Sequence, residues 1–142
     1  MFSKNKIKNL SFREQIPTFV IESEITGNSN MVRIVKVTSI GKYIETNPKV
    51  KDALEAWVSL VKTLTWEKPQ DIVESFGAKA VDIIGGERAV IDIKGNHIRI
   101  IIKYQFHSKL KQSVIYVKWI GTHAAYSKLC KLNKQYVVEM FK

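Results

Sequence analysis

The stretch RAVIDIKGNHIRIIIKYQF, residues 88–106, decides the fold. Residues 88–94 and 98–106 alternate apolar and polar side chains, the period of a strand with two distinct faces. Gly95-Asn96 between them is a two-residue hairpin turn, since both residues tolerate positive φ. In the second strand Ile98, Ile100, Ile102, Tyr104 and Phe106 share one face, and Arg99, Ile101, Lys103 and Gln105 share the other. Downstream, residues 114–120 give a third strand, with Ile115, Val117 and Trp119 inward and Tyr116 and Lys118 outward. Thr122 then caps a helix running through Ala124-Ala125 toward Leu129. Upstream, residues 31–37 alternate apolar and basic side chains as a half-buried strand does. A short helix over 38–45 follows, and Asn47-Pro48 supplies an N-cap with proline at the first helical position. The stripe Ala53, Trp57, Leu60, Val61, Leu64 predicts a helix to about Trp66, with Trp57 and Trp66 in the core. Lys68-Pro69 ends it, and residues 70–76 make a further helical turn. The expected fold is α+β: an N-terminal strand and helices packed on an antiparallel sheet closed by a C-terminal helix.

Residues 1–30 differ, closing on the loop composition Thr26-Gly27-Asn28-Ser29-Asn30. The expected division is an N-terminal extension over 1–30 and a single domain over 31–142, with Met31 an alternative start. The chain of 142 residues has 23 Lys and Arg against 13 Asp and Glu, a net charge of +10. The excess is concentrated: between Arg88 and Lys134 ten basic residues face one acid, Asp92. Such a field attracts phosphate backbones. One cysteine, Cys130, forms no internal disulfide and suits a reducing compartment. No run approaches the roughly 18 apolar residues of a membrane span, and Pro17–Ile21 is too short for a signal peptide core. The expected location is the cytoplasm.

The residue types narrow the chemistry. His97, His107, His123 and Cys130 lack the paired spacings of zinc sites. A two-metal nuclease needs clustered carboxylates, which the basic half does not offer. No cofactor is called for. RNA cleavage without metal uses the 2′-hydroxyl as nucleophile, with a base, a phosphate-binding cation and an acid. Arg99, Lys118, His123 and Tyr126 could supply these groups, the last two standing one helical turn apart. Each also has a structural reading: a solvated strand arginine, a lysine stem over Trp119, a helix-start residue, a half-buried tyrosine. Lys94, Asn96, Lys103 and Tyr116 are candidate RNA contacts, Asn96 serving equally as a turn residue. His97 and His107 read as surface residues.

Residues 90–99, VIDIKGNHIR, and residues 116–126, YVKWIGTHAAY, resemble the HigB-type toxins of toxin–antitoxin pairs, within the RelE superfamily. Gly95-Asn96-x-x-Arg99 and Thr122-His123-x-x-Tyr126 match that family's hairpin and closing motifs. The resemblance runs from about Met31 to Lys128, and residue 92 departs from it, being Asp where the family usually has Asn. It implies a RelE-like fold, mRNA cleavage of the kind often carried out on the ribosome, and a HigA-like antitoxin partner. It also implies that Arg99 binds phosphate, that His123 and Tyr126 are site residues, and that Lys118 fills an often basic position. Which group is base and which acid stays open. A second reading keeps the basic face without catalysis, as an RNA- or ribosome-binding module. A membrane-surface protein ranks last, because no helix pairs a basic side with a Trp, Phe or Leu side.

Overall fold

The computed structural model describes residues 31–93, 97–107, 109 and 112–141. The readings for residues 1–30, Lys94, Gly95 and Asn96 lie outside the described residues. Strand β1 (Val32–Val35) buries Val32 and Ile34 and ends earlier than the alternation suggests. Lys36 takes a left-handed backbone, φ 64°, that turns the chain directly into helix α1 (Val37–Thr46). A 3-10 turn (Pro48–Val50) leads into helix α2 (Lys51–Val61). Asn47 precedes that turn, but its side chain does not cap it, bonding the Tyr43 carbonyl and the Thr46 hydroxyl instead.

In α2 the buried residues are Leu54, Trp57, Val58 and Val61. The stripe is rotated from the expected one, leaving Leu60 46% exposed. The helix stops at Val61 because the chain tightens there: Leu64 N–H donates to the Val61 carbonyl, and Thr63 Oγ1 to that of Leu60. Trp66 still reaches the core, its indole N–H donating to Ser75 Oγ at 2.8 Å. Pro69 opens helix α3 (Pro69–Phe76) as its first residue. Asp71 Oδ2 accepts from the backbone N–H of Glu67 and Lys68, and these bonds hold its carboxyl below the usual range.

The chain then returns through four strands: β2 (Val81–Ile84), β3 (Arg88–Ile93), β4 (Ile98–His107) and β5 (Gln112–Thr122). Sheet order is β1-β5-β4-β3-β2. The sheet is mixed rather than antiparallel, because β1 pairs parallel with β5. Helices α1–α3 carry the chain from one edge to the other, and the meander comes back strand by strand to meet β1. Strand β2 is an edge strand beyond the three-stranded meander that the alternation indicates. Gly86 (φ 74°) and Glu87 (φ 61°) make its tight turn into β3.

Central strand β4 is buried on both sides. Ile98, Ile100 and Ile102 join Trp57, Trp66 and Ile72 in the main core beneath the helices. Ile101 joins Val90, Trp119 and Tyr126 in a second cluster on the opposite face. Each fully buried isoleucine contributes roughly 1.5–3 kcal/mol. Trp119 belongs to this second face, not to the inward row with Ile115 and Val117. The β4–β5 register steps from Ile102↔Val117 to Ile101↔Trp119, so Lys118 is an extra residue in a β-bulge.

The Trp119 ring lies over Gly121, where an added Cβ would come within 2.4 Å of the indole. Gly121→Ala is therefore expected to lower stability by about 1–3 kcal/mol through overpacking. Urea unfolding checks this, and an unchanged midpoint would show that the indole moves aside freely.

Helix α4 (His123–Lys131) starts where the sequence places it, with Thr122 Oγ1 accepting from Ala125 N–H at 3.0 Å. Asn133, at φ 58°, ends it, and Lys134 N–H donates back to the Leu129 carbonyl. Tyr126, Leu129 and Cys130 pack on the second cluster, as does Val138 from the C-terminal segment. The face expected to be open and basic is thus partly covered. Among the described residues no helix is long and apolar enough to cross a membrane.

Candidate functional site

Asp92, Arg99, His123 and Tyr126 come together on the second face of the sheet. Asp92 and Arg99 are cross-strand partners on β3 and β4, and Gly121 of β5 pairs with Arg99 on its other side. Gly121 leads through Thr122 directly into α4, which sets His123 beside the same pair of strands. Asp92 Oδ1 accepts from Arg99 Nε at 3.4 Å and contacts His123 Nε2 at 2.6 Å. One carboxylate oxygen thus joins residues far apart in sequence. The Arg99 guanidinium sits 5.0 Å from the centre of the Tyr126 ring, a cation–π contact. Arg99, Asp92 and His123 remain 33%, 35% and 39% exposed at their side chains, so a solute can reach all three.

Tyr126 is different, being 8% exposed. Burial first, then the hydrogen bond with Cys130, pushes its phenol well above the ordinary range. The phenol therefore stays protonated at neutral pH. It provides a platform that fixes the Arg99 plane. His97 also stands at the site: its backbone is left-handed (φ 52°) and its carbonyl accepts from His123 N–H. Its ring is edge-on to that of His123 at 6.1 Å. Beside Arg99 and Asp92 opens a cavity of about 240 Å³, lined also by Lys79, Val81, Asp82 and Val90.

The remaining candidates lie elsewhere. Lys118 is bonded to Glu139 at 3.0 Å and lies 5.6 Å from the centre of the Tyr116 ring. Lys103 is the cross-strand partner of both Arg88 and Tyr116, four residues along β4 from Arg99. Tyr116 donates to Gln105 Oε1 at 3.2 Å. Lys94 and Asn96 lie outside the described residues. Asp92 and His97 join the cluster through the fold, neither being marked as a site group by its own residue type and spacing. The signal for Asp92 was in the charge pattern, as the one acid in a strongly basic half.

A family model for the HigB toxin, described as the RelE-like toxic component of a toxin–antitoxin system, matches residues 50–129. This is more than half of the 142-residue chain. The chain belongs to the HigB toxin family. The matched span contains Asp92, Arg99, His123 and Tyr126, so the cluster lies wholly inside the HigB family region. As a toxin of a toxin–antitoxin system, the HigB-family chain has an antitoxin as its partner. No curated protein matches the sequence.

Proposed function

We propose that this HigB-family toxin is a metal-independent endoribonuclease that cleaves mRNA, on the ribosome, and is held in check by a HigA-like antitoxin. The observation that carries this reading is the Asp92 carboxylate joining an arginine and a histidine on an accessible, basic face.

Asp92 Oδ1 accepts the His123 Nε2 proton, which fixes the tautomer and leaves Nδ1 as the basic nitrogen. Nδ1 takes the proton of the RNA 2′-hydroxyl as the 2′-oxygen attacks phosphorus. Asp92 then stabilises the imidazolium, and Arg99 binds the phosphate oxygens on which charge accumulates. The P–O5′ bond breaks, and the 5′-oxygen takes a proton from the neighbouring His97 ring, which enters the step as imidazolium and leaves it neutral. The products are a 2′,3′-cyclic phosphate and a 5′-hydroxyl end. The cavity beside Arg99 gives room for a base flanking the cut. The antitoxin is expected to be acidic where it meets the basic face.

The test is induced expression of the intact chain with mRNA 5′ ends mapped by primer extension, beside Arg99→Ala and His123→Ala. New discrete ends with the intact chain, absent in both variants, are expected. Unchanged mRNA from soluble, folded protein would overturn the nuclease reading and leave an RNA- or ribosome-binding module.

Tyr126 supplies a sharper check on roles. Tyr126→Phe keeps the ring under Arg99 and is expected to retain cleavage within about threefold, in line with loss of one modest hydrogen bond. Tyr126→Ala removes the platform and opens a cavity, costing about 3–5 kcal/mol of stability by analogy with Phe→Ala. A cleavage assay in which Tyr126→Phe is as inactive as Arg99→Ala would assign the hydroxyl a direct part in the chemistry.

A further inference from the structure

Beyond the Asp92 cluster, the same face carries a second set of cations, and the chain's own C-terminal segment lies across it. Arg88, Lys103 and Tyr116 form one cross-strand row over β3, β4 and β5. Two like charges directly opposite each other, as Arg88 and Lys103 are, destabilise a sheet unless an anion lies between or beside them. Lys118, offered by the bulge, adds a third cation above the Tyr116 ring. The anion present is Glu139. Its carboxylate bonds Lys118 Nζ at 3.0 Å, and the hydrogen bond and charge of Lys118, then Arg88 and Lys103, hold it below the usual carboxylate range.

The segment is fastened by its backbone. Arg88 is 3% exposed and donates to the carbonyls of Gln135 at 3.2 Å and Val138 at 2.9 Å. Met140 N–H donates to the Lys118 carbonyl at 2.8 Å. Glu139 itself stays 46% exposed, at a place where solvent ions or a strand can compete. Its apolar neighbours are poorly covered: Val137 is 67% and Met140 46% exposed.

We infer that Lys103 and Lys118 form a second phosphate-binding subsite for single-stranded RNA, occupied in the free protein by the carboxylate of Glu139. The inference rests on the RNA reading of the first site. Lys103 stands four residues from Arg99 along β4, roughly 13 Å at about 3.3 Å per residue. A strand laid along β4 therefore meets Arg99 at the cut and this cluster further along, with Tyr116 beside it to stack a base. The incoming phosphate exchanges with Glu139, and residues 139–141 lift from β5. The chain thus carries its own competitor for RNA.

The experiment uses the full chain carrying His123→Ala, so that RNA is bound without being cut. The probe is a short fluorescein-labelled single-stranded RNA, read by anisotropy over a range of salt. Glu139→Gln is expected to tighten binding by about two- to fivefold, the size of releasing one exposed ion pair. Lys103→Ala and Lys118→Ala are each expected to weaken binding and reduce the salt slope by about one. Hydrogen exchange supplies a readout independent of affinity: the Met140 amide is expected to lose protection when RNA saturates the protein. Unchanged or weaker binding by Glu139→Gln, or a Met140 amide still protected under saturating RNA, would overturn the inference while leaving the Arg99 site intact. A chain that binds no RNA at any salt would overturn both.

Discussion

Arg99→Ala is expected to slow RNA cleavage by about 10²–10³-fold, the usual consequence of removing one donor aimed at developing charge. The fold should survive. Arg99 is 33% exposed at its side chain, and its contacts are Asp92 and the face of Tyr126, with no part in the main core. The main core still holds Ile98, Ile100 and Ile102 of the same strand. Single-turnover cleavage of ribosome-bound mRNA by purified protein separates this from a folding defect, with a thermal melt run beside it. Arg99→Lys is the informative companion. It keeps the charge but loses the planar fork that grips two phosphate oxygens and stacks on Tyr126, so an intermediate rate is expected. Cleavage by Arg99→Ala within a few-fold of the intact chain would move the phosphate site elsewhere on the face.

His123→Ala is expected to lower cleavage by about 10²–10⁴-fold, the range for loss of a positioned proton carrier. RNA affinity should change far less than with Arg99→Ala, because Arg99 and the further cations remain. Helix α4 keeps its start in this variant, since the cap bond runs from Thr122 to Ala125 and does not use the imidazole. Parallel loss of affinity and cleavage would instead make His123 a binding group. Removal of Asp92 is the complementary case: it frees Arg99 and His123 together, so its effect and theirs share one network and should not add.

Most of the fold could be read where periodicity is local. The hairpin of β3 and β4, the Thr122 cap and the burial of Trp57 and Trp66 each follow from patterns a few residues long. Three features did not, for separate reasons. Strand β2 is four residues at a sheet edge, and Val81-Asp-Ile-Ile84 shows no alternation to announce it. The parallel pairing of β1 with β5 joins residues some eighty positions apart, such as Val32 and Ser113, and belongs to topology rather than to any segment. The bulge at Lys118 leaves no local mark, because Ile115, Val117 and Trp119 alternate perfectly on paper while Trp119 needs the space above Gly121. Within the site, Arg99, His123 and Tyr126 were legible through their motifs. Asp92 stood in view as a lone acid, yet its role required knowing that β3 and the start of α4 converge on Arg99. The engagement of Lys118 by Glu139 was hidden because the C-terminal residues form neither helix nor strand.

The bulge has a consequence for how this face can change over generations. In the ladder between β4 and β5, Val117 and Trp119 already oppose consecutive residues, Ile102 and Ile101. Lys118 is supernumerary in that count. Excising its codon would leave every other cross-strand partner in place and keep each side chain on its present side. The cation and the Met140 anchor would vanish together, without repacking either apolar layer. A positive charge lodged in this way is a module that a lineage can gain or drop in a single step, whereas Arg99 and Gly121 are locked into the parity of the sheet.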